Sequence, residues 1–135
     1  MEGSDLSILI VDDEQRLLEL LTQLLTLRGY HVTSASNGEV ALEAMQKRFF
    51  HIVLLDLMMP GMDGTMLYDR IRNSYPGTCG IFMSGKPHFL VEETLEKYRR
   101  SAIPVGFVRK PFDIDELEEC IEGIKRKYFS SPPGE

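Results

Sequence analysis

The chain predicts an α/β fold in which a mostly parallel sheet is covered by helices on both faces. Three observations carry that prediction. Short apolar runs of strand length recur five times, stretches with apolar residues at helical spacing follow each of them, and Gly, Pro, Asn or Asp residues punctuate the changes of period. Strict alternation of this kind is the pattern of strand–helix–strand crossovers. With 135 residues the chain suits one domain with a real core.

In order, Leu6 to Val11 reads as a buried strand that stops at Asp12-Asp13-Glu14. Leu17, Leu18, Leu21, Leu24, Leu25 and Arg28 then recur at helical spacing, and Gly29 closes that helix. His31 to Ala35 is a second, weaker strand. Ser36-Asn37-Gly38 offers caps for a helix with Val40, Ala41, Leu42 and Met45 inside. Ile52 to Leu55 is the third strand, and it delivers Asp56 at its carboxyl end before a loop containing Pro60-Gly61 and Asp63-Gly64. A helix from about Gly64 to Asn73 places Met66, Leu67, Arg70 and Ile71 on one side, and Pro76-Gly77 ends it. Gly80 to Met83 is a fourth strand leading to Ser84-Gly85. His88 to Arg100 is a charged helix whose inner face is Leu90, Val91, Leu95 and Tyr98; this stripe is thin, so it is expected to be the least firmly anchored helix. Pro104 to Val108 is the fifth strand, followed by Arg109-Lys110-Pro111. Asp113 caps a last helix with Leu117, Cys120, Ile121, Ile124 and Tyr128 spaced for burial. Ser130 to Glu135 reads as a flexible tail or the start of a linker.

Fifteen basic against twenty-one acidic side chains leave a net charge of −6, which disfavours direct nucleic-acid binding, because that affinity rests on neutralising phosphates with Lys and Arg. Cys79 and Cys120 stand in no metal-ligand spacing and read as reduced packing residues. No apolar run approaches the ~20 residues that span a bilayer, and the N-terminus lacks a signal pattern. The expectation is a soluble, cytoplasmic domain that uses no membrane, with no DNA-binding or enzymatic segment after residue 128.

The chemistry gathers at strand ends. In doubly wound sheets ligands sit beyond the carboxyl ends of the strands, where the winding reverses. If the first and third strands are neighbours there, Asp12, Asp13 and Asp56 meet, and Ser84 and Lys110 can join them. Clustered carboxylates repel one another, and an isolated buried charge is costly, so a divalent, oxygen-seeking ion fits; Mg²⁺ binds one or two carboxylates while leaving positions for phosphoryl oxygens. Lys110 adds a point charge and Ser84 a hydroxyl donor. These are the parts of phosphoryl transfer, with Asp56 as the nucleophile that forms an acyl phosphate.

Ile8-Leu9-Ile10-Val11-Asp12-Asp13-Glu14, Asp56-Leu57-Met58-Met59-Pro60-Gly61-Met62-Asp63-Gly64, Met83-Ser84-Gly85 and Lys110-Pro111-Phe112 together resemble a response-regulator receiver domain, in order and at matching spacing from about residue 6 to 128. The resemblance implies a flavodoxin-like fold of strand order 2-1-3-4-5 flanked by five helices, with a receiver domain over residues 1–129 and a tail or linker start at 130–135. It implies phosphorylation of Asp56 by a sensor histidine kinase or phosphotransfer protein. Mg²⁺ would be held by Asp13, Asp56 and the Met58 backbone carbonyl, with Asp12 assisting through water. Ser84 and Lys110 would contact the phosphoryl group, and Met58 and Lys86 stand at positions that tune dephosphorylation. A switch is implied as well: when the Ser84 hydroxyl is drawn inward, the aromatic residue three before the lysine, Phe107, turns into the space vacated. Phe107 departs from the commoner tyrosine and lacks its hydroxyl. The output surface would be the fourth helix, fifth strand and fifth helix, open to an output partner or to a homodimer.

Plainer readings stand beside these. Asp12 and Asp13 could be helix N-terminal acids favoured by the dipole, Lys110 a solvated lysine, Phe107 plain core and Asp63 a cap. Met58, Met59, Met62, Met66 and Met83 fill gaps, and His31, His51 and His88 sit at the starts of elements. Competing functions are a receiver cut from a hybrid histidine kinase or multi-domain regulator, a flavodoxin-like cofactor binder, and a Mg²⁺-dependent aspartyl phosphatase. The second lacks a phosphate loop. The third calls for an acid two residues after the nucleophile, where Met58 stands. The leading reading catalyses its own phosphotransfer and dephosphorylation and turns over no separate substrate.

Overall fold

The computed structural model describes residues 6–59, 61, 63–85 and 87–129. Strands β1 (Ser7–Val11), β2 (His31–Ala35), β3 (Ile52–Asp56), β4 (Cys79–Ser84) and β5 (Val105–Arg109) alternate with helices α1 (Gln15–Leu27), α2 (Gly38–Lys47), α3 (Gly64–Ser74), α4 (His88–Glu96) and α5 (Ile114–Ile124). The five strands form one sheet of order 2-1-3-4-5, every neighbouring pair parallel. This is the doubly wound, flavodoxin-like arrangement the family resemblance implies, with the winding reversed between β1 and β3.

Two apolar layers hold the sheet. On one face Ile8, Ile10, Leu54 and Ile81 pack with Leu18, Leu21 and Leu25 of α1 and Leu117, Ile121 and Ile124 of α5. On the other, Leu9, Val11, Val53, Leu55 and Phe82 pack with Ala41 and Met45 of α2, Leu67, Tyr68 and Ile71 of α3, and Tyr98 just beyond α4. Burial on both faces explains why β3, the sheet's middle strand, is buried at all five positions and reads as a continuous apolar run.

Helix ends follow their sequence signals. Asn37 and Asp63 cap α2 and α3 by accepting from the Val40 and Met66 amides, and Asp113 forms a reciprocal capping box with Glu116. Gly29 leaves α1 at φ 98°, a backbone state that favours glycine. Asp63 is therefore a cap. The Met66 amide bond is the main reason its carboxyl is held below the usual range.

Some helix faces differ from the spacing read in the sequence. In α2 the buried stripe is Gly38, Ala41 and Met45, which turns Val40 out to 40% exposure. In α3 the stripe is Gly64, Leu67, Tyr68 and Ile71, so Met66 and Arg70 face solvent and Tyr68 takes their place inside. α4 ends at Glu96 rather than Arg100, and turns carry the chain through Arg100. Val91 and Tyr98 do face inward; the side chain of Leu90, like that of His88, lies outside the described residues. After α5 the chain makes a π-helical turn, Lys125–Phe129, which adds a residue per turn and shifts the phase. Tyr128 is exposed as a result, and Phe129 packs toward the core and edge-on to His51. Pro60, Met62, Lys86 and the 130–135 segment lie outside the described residues.

Candidate functional site

The site stands at the β1/β3 reversal. Just past β1 the Asp12 amide bonds the Ala35 carbonyl at 3.2 Å, so the chain is still tied to the sheet there and the Asp12 side chain is wholly buried. Its Oδ1 accepts from the Glu14 amide at 2.8 Å and its Oδ2 from Lys110 Nζ at 2.9 Å. Asp56 ends β3 at 8% exposure; Oδ1 accepts from the Met58 amide at 3.1 Å and Oδ2 from Lys110 Nζ at 3.1 Å. One ammonium thus bridges the two buried carboxylates. Burial works against the Lys110 charge, but the hydrogen bonds and charges of Asp12 and Asp56 outweigh it and raise its pKa above the ordinary lysine value.

Backbone ties hold the strand ends together. The Leu57 amide bonds Met83 O at 3.0 Å, Gly64 N bonds Leu57 O at 3.0 Å, and Lys110 N bonds Ser84 O at 3.0 Å before a cis Lys110–Pro111 peptide. Ser84 is buried at the end of β4. Asp56, Met58, Ser84, Gly85, Pro87 and Lys110 line an open depression, where the Met58 side chain is exposed.

Asp13 is exposed, yet carboxylate oxygens of Asp12, Asp13 and Asp56 all lie within 4.8 Å of one another. Three carboxylates against one ammonium leave a formal charge of −2 (three minus one). Hard oxygen donors with that surplus fit a divalent cation of the Mg²⁺ type. Phe107 is half-buried on β5 against the layer that carries α2 to α4, and the Arg109 guanidinium lies over its ring, 5.6 Å from the centroid.

Asp56, Met58, Ser84 and Lys110 therefore line one opening and Asp12 and Asp13 cluster with Asp56 beside it, while Phe107 stands apart on the edge strand. Three participants were not singled out in the sequence. The Glu14 amide fixes Asp12. Gly64 lets α3 begin against β3, since a Cβ there would lie 2.4 Å from the Asp56 carbonyl oxygen. Arg109 covers Phe107, and its signal was present: residues two apart on a strand share a face.

The response regulator receiver domain family matches residues 8–122. A probable transcriptional regulator, ycf27, of Pyropia yezoensis is 34% identical over 131 residues, covering 94% of this chain and 50% of its own length. The crystal structure of the response regulator TrrA of Thermotoga maritima, in complex with Mg(2+)-BeF, is 31% identical at TM-score 0.74, covering 88% of this chain and 98% of that one. The receiver domain of NtrX from Brucella abortus is 32% identical at TM-score 0.74 over 92% and 99% of the two chains. The chain spans about half the length of the curated relatives it matches. No helix among the described residues is long and apolar enough to cross a membrane. From the strand order, the carboxylate cluster at the reversal and the family match over most of its length, the chain belongs to the response regulator receiver domains of two-component systems.

Proposed function

We propose that Asp56 accepts a phosphoryl group from a sensor histidine kinase or phosphotransfer protein in the cytoplasm, and that the acyl phosphate resets the α4–β5–α5 surface for an output partner. The observation that carries this reading is the Lys110 ammonium shared between Asp12 and Asp56, 2.9 and 3.1 Å away, at the mouth of an open depression. A carboxylate held by an amide on one oxygen and an ammonium on the other is oriented for in-line attack. In the transfer an Asp56 oxygen bonds phosphorus, the phosphorus–nitrogen bond of the donor phosphohistidine breaks, and the imidazole nitrogen keeps the electron pair and is reprotonated. Lys110 then follows the charge onto the phosphoryl oxygens, and the Ser84 hydroxyl donates to one of them.

Asp13, Asp56 and the Met58 backbone carbonyl would hold Mg²⁺, with Asp12 acting through water; when bound, the ion supplies charge neutralisation between carboxylate and phosphoryl oxygens. The Mg(2+)-BeF complex of TrrA supports this assignment by similarity. Phosphotransfer and later hydrolysis are self-catalysed, and no second substrate is turned over. Movement of Ser84 and Phe107 carries the signal. Charge-assisted bonds at about 1.5–3 kcal/mol each approach the roughly 5.5 kcal/mol that a near-complete population shift needs.

A second reading is that the domain works as one part of a hybrid kinase or multi-domain regulator. Its support is that the curated relatives are about twice as long, and that a hybrid-kinase receiver, that of CckA, is 30% identical at TM-score 0.71. A homodimer through α4–β5–α5 is compatible with either. The test is intact mass after incubation with acetyl phosphate and Mg²⁺. One added phosphoryl group on the wild type and none on Asp56→Asn is expected; equal gain by both proteins would move the acceptor elsewhere.

A further inference from the structure

We infer that Arg109 is a positioning residue of the switch: its guanidinium holds Phe107 in the half-buried position of the free protein and so sets how much of the population is already switched before phosphorylation. The inference rests on the phosphorylation reading above and goes beyond it by naming what holds the ring. In the family's commoner tyrosine a hydroxyl can fix the ring by a hydrogen bond. Phe107 has none, and its ring is held by packing against the apolar layer and by the Arg109 guanidinium.

Arg109 is placed for that task. On β5, Phe107 and Arg109 are two residues apart and share the face that looks toward α4, and Arg109 is the register neighbour of Ser84 on β4, as Phe107 is of Phe82. The guanidinium carbon lies 5.6 Å from the ring centroid, within the range of cation–π attraction. Arg109 therefore neighbours, across the strand pair, the serine proposed to touch the phosphoryl group and, along β5, the aromatic ring proposed to respond.

The strand is packed against α5 one residue before Phe107. Gly106 faces α5, where an added Cβ would lie 2.5 Å from Cys120 Sγ and 3.3 Å from Ile124 Cδ1, so side chains of α5 pack directly on the strand backbone there. A change at Phe107 is then a side-chain rotation, which carries the ring away from the guanidinium. Arg109 stabilises the starting rotamer and not the rotated one. An exposed cation–π contact of about 0.5–1 kcal/mol corresponds to about a two- to fivefold change in the rotamer ratio.

The experiment uses ring-¹³C phenylalanine and follows the Phe107 resonance, assigned with Phe107→Leu, in the whole chain with and without Mg²⁺ and beryllium fluoride. In the free protein Arg109→Gln is expected to move the Phe107 resonance toward its beryllium fluoride position by about a two- to fivefold population change, and Arg109→Lys by less. If the wild-type resonance moves on adding beryllium fluoride while free Arg109→Gln is indistinguishable from wild type, the inference is overturned and the phosphorylation switch stands. If the wild-type resonance does not move, the switch itself is withdrawn and this inference with it.

Discussion

Gly64 touches the backbone of Asp56: a Cβ at position 64 would lie 2.4 Å from the Asp56 carbonyl oxygen and 2.9 Å from Leu57 Cα. The first residue of α3 and the last residue of β3 are thereby packed backbone to backbone, and the Met58 amide that orients Asp56 lies in the loop between them.

That contact makes Gly64→Ala an informative change. Backbone atoms cannot yield as a flexible side chain does, so overpacking is expected to cost about 1–3 kcal/mol in denaturant unfolding. It should also slow phosphorylation by acetyl phosphate, because the loop carrying Met58 has to shift. Wild-type stability and rate together would mean that the close approach has no consequence for the site.

Lys110→Ala removes the only cation hydrogen-bonded to both Asp12 and Asp56 among the described residues. The remaining carboxylates attract a divalent ion at least as strongly, so Mg²⁺ affinity is expected to be equal or higher in a calorimetric titration. The response of α4–β5–α5 to phosphorylation is expected to be lost. Weaker Mg²⁺ binding would show that Lys110 organises the cluster instead of competing for it.

Beyond α4 the buried Tyr98 hydroxyl donates to Asp69 at 2.8 Å, and Lys97 reaches the other Asp69 oxygen at 2.6 Å. This links the end of α4 to α3. Tyr98→Phe is expected to cost about 1 kcal/mol and to speed amide exchange across residues 91–98. Unchanged exchange in that segment would assign its anchoring to apolar packing alone.

Cys79 supplies a pH test. Burial pushes its thiol up to about 12, so the thiol stays neutral in the folded chain well above the value near 8.5 at which an unfolded cysteine ionises. With the folded pKa raised, the contribution to stability is complete below about pH 8.5 and is lost as pH climbs toward 12. Above about pH 9 the unfolded state binds fewer protons, and this group lowers stability by up to about 1.4 kcal/mol per pH unit. Chemical denaturation between about pH 8.5 and 10 should show a shallower decline for Cys79→Ala than for wild type. Parallel declines would mean that Cys79 ionises normally in the fold.

Much of this structure was legible in the sequence because burial and chain punctuation coincide. β2 runs from His31 to Ala35 as read, β3 ends at Asp56, and the caps at Asn37, Asp63 and Asp113 are local chemistry that sequence shows directly. Strand order was another matter. Periodicity does not encode which strands pair, and only the motif resemblance implied β1 beside β3. Helix faces were misjudged where one residue of phase decides burial: Tyr68 instead of Met66, and Phe129 instead of Tyr128 after the π-helical turn. In the site, carboxylates at strand ends could be read from the chain, but the ammonium shared by Asp12 and Asp56 joins residues 98 and 54 positions apart and needed the fold. The Gly64 contact is likewise a packing fact with no local signal.

The most direct test of the central claim is residue-level mass mapping of the chain after treatment with acetyl phosphate and Mg²⁺. The arrangement of Asp12, Asp13, Ser84 and Lys110 around one carboxylate predicts a single phosphoryl group, carried by Asp56. A phosphoryl group found on any other residue of the wild-type chain would contradict it.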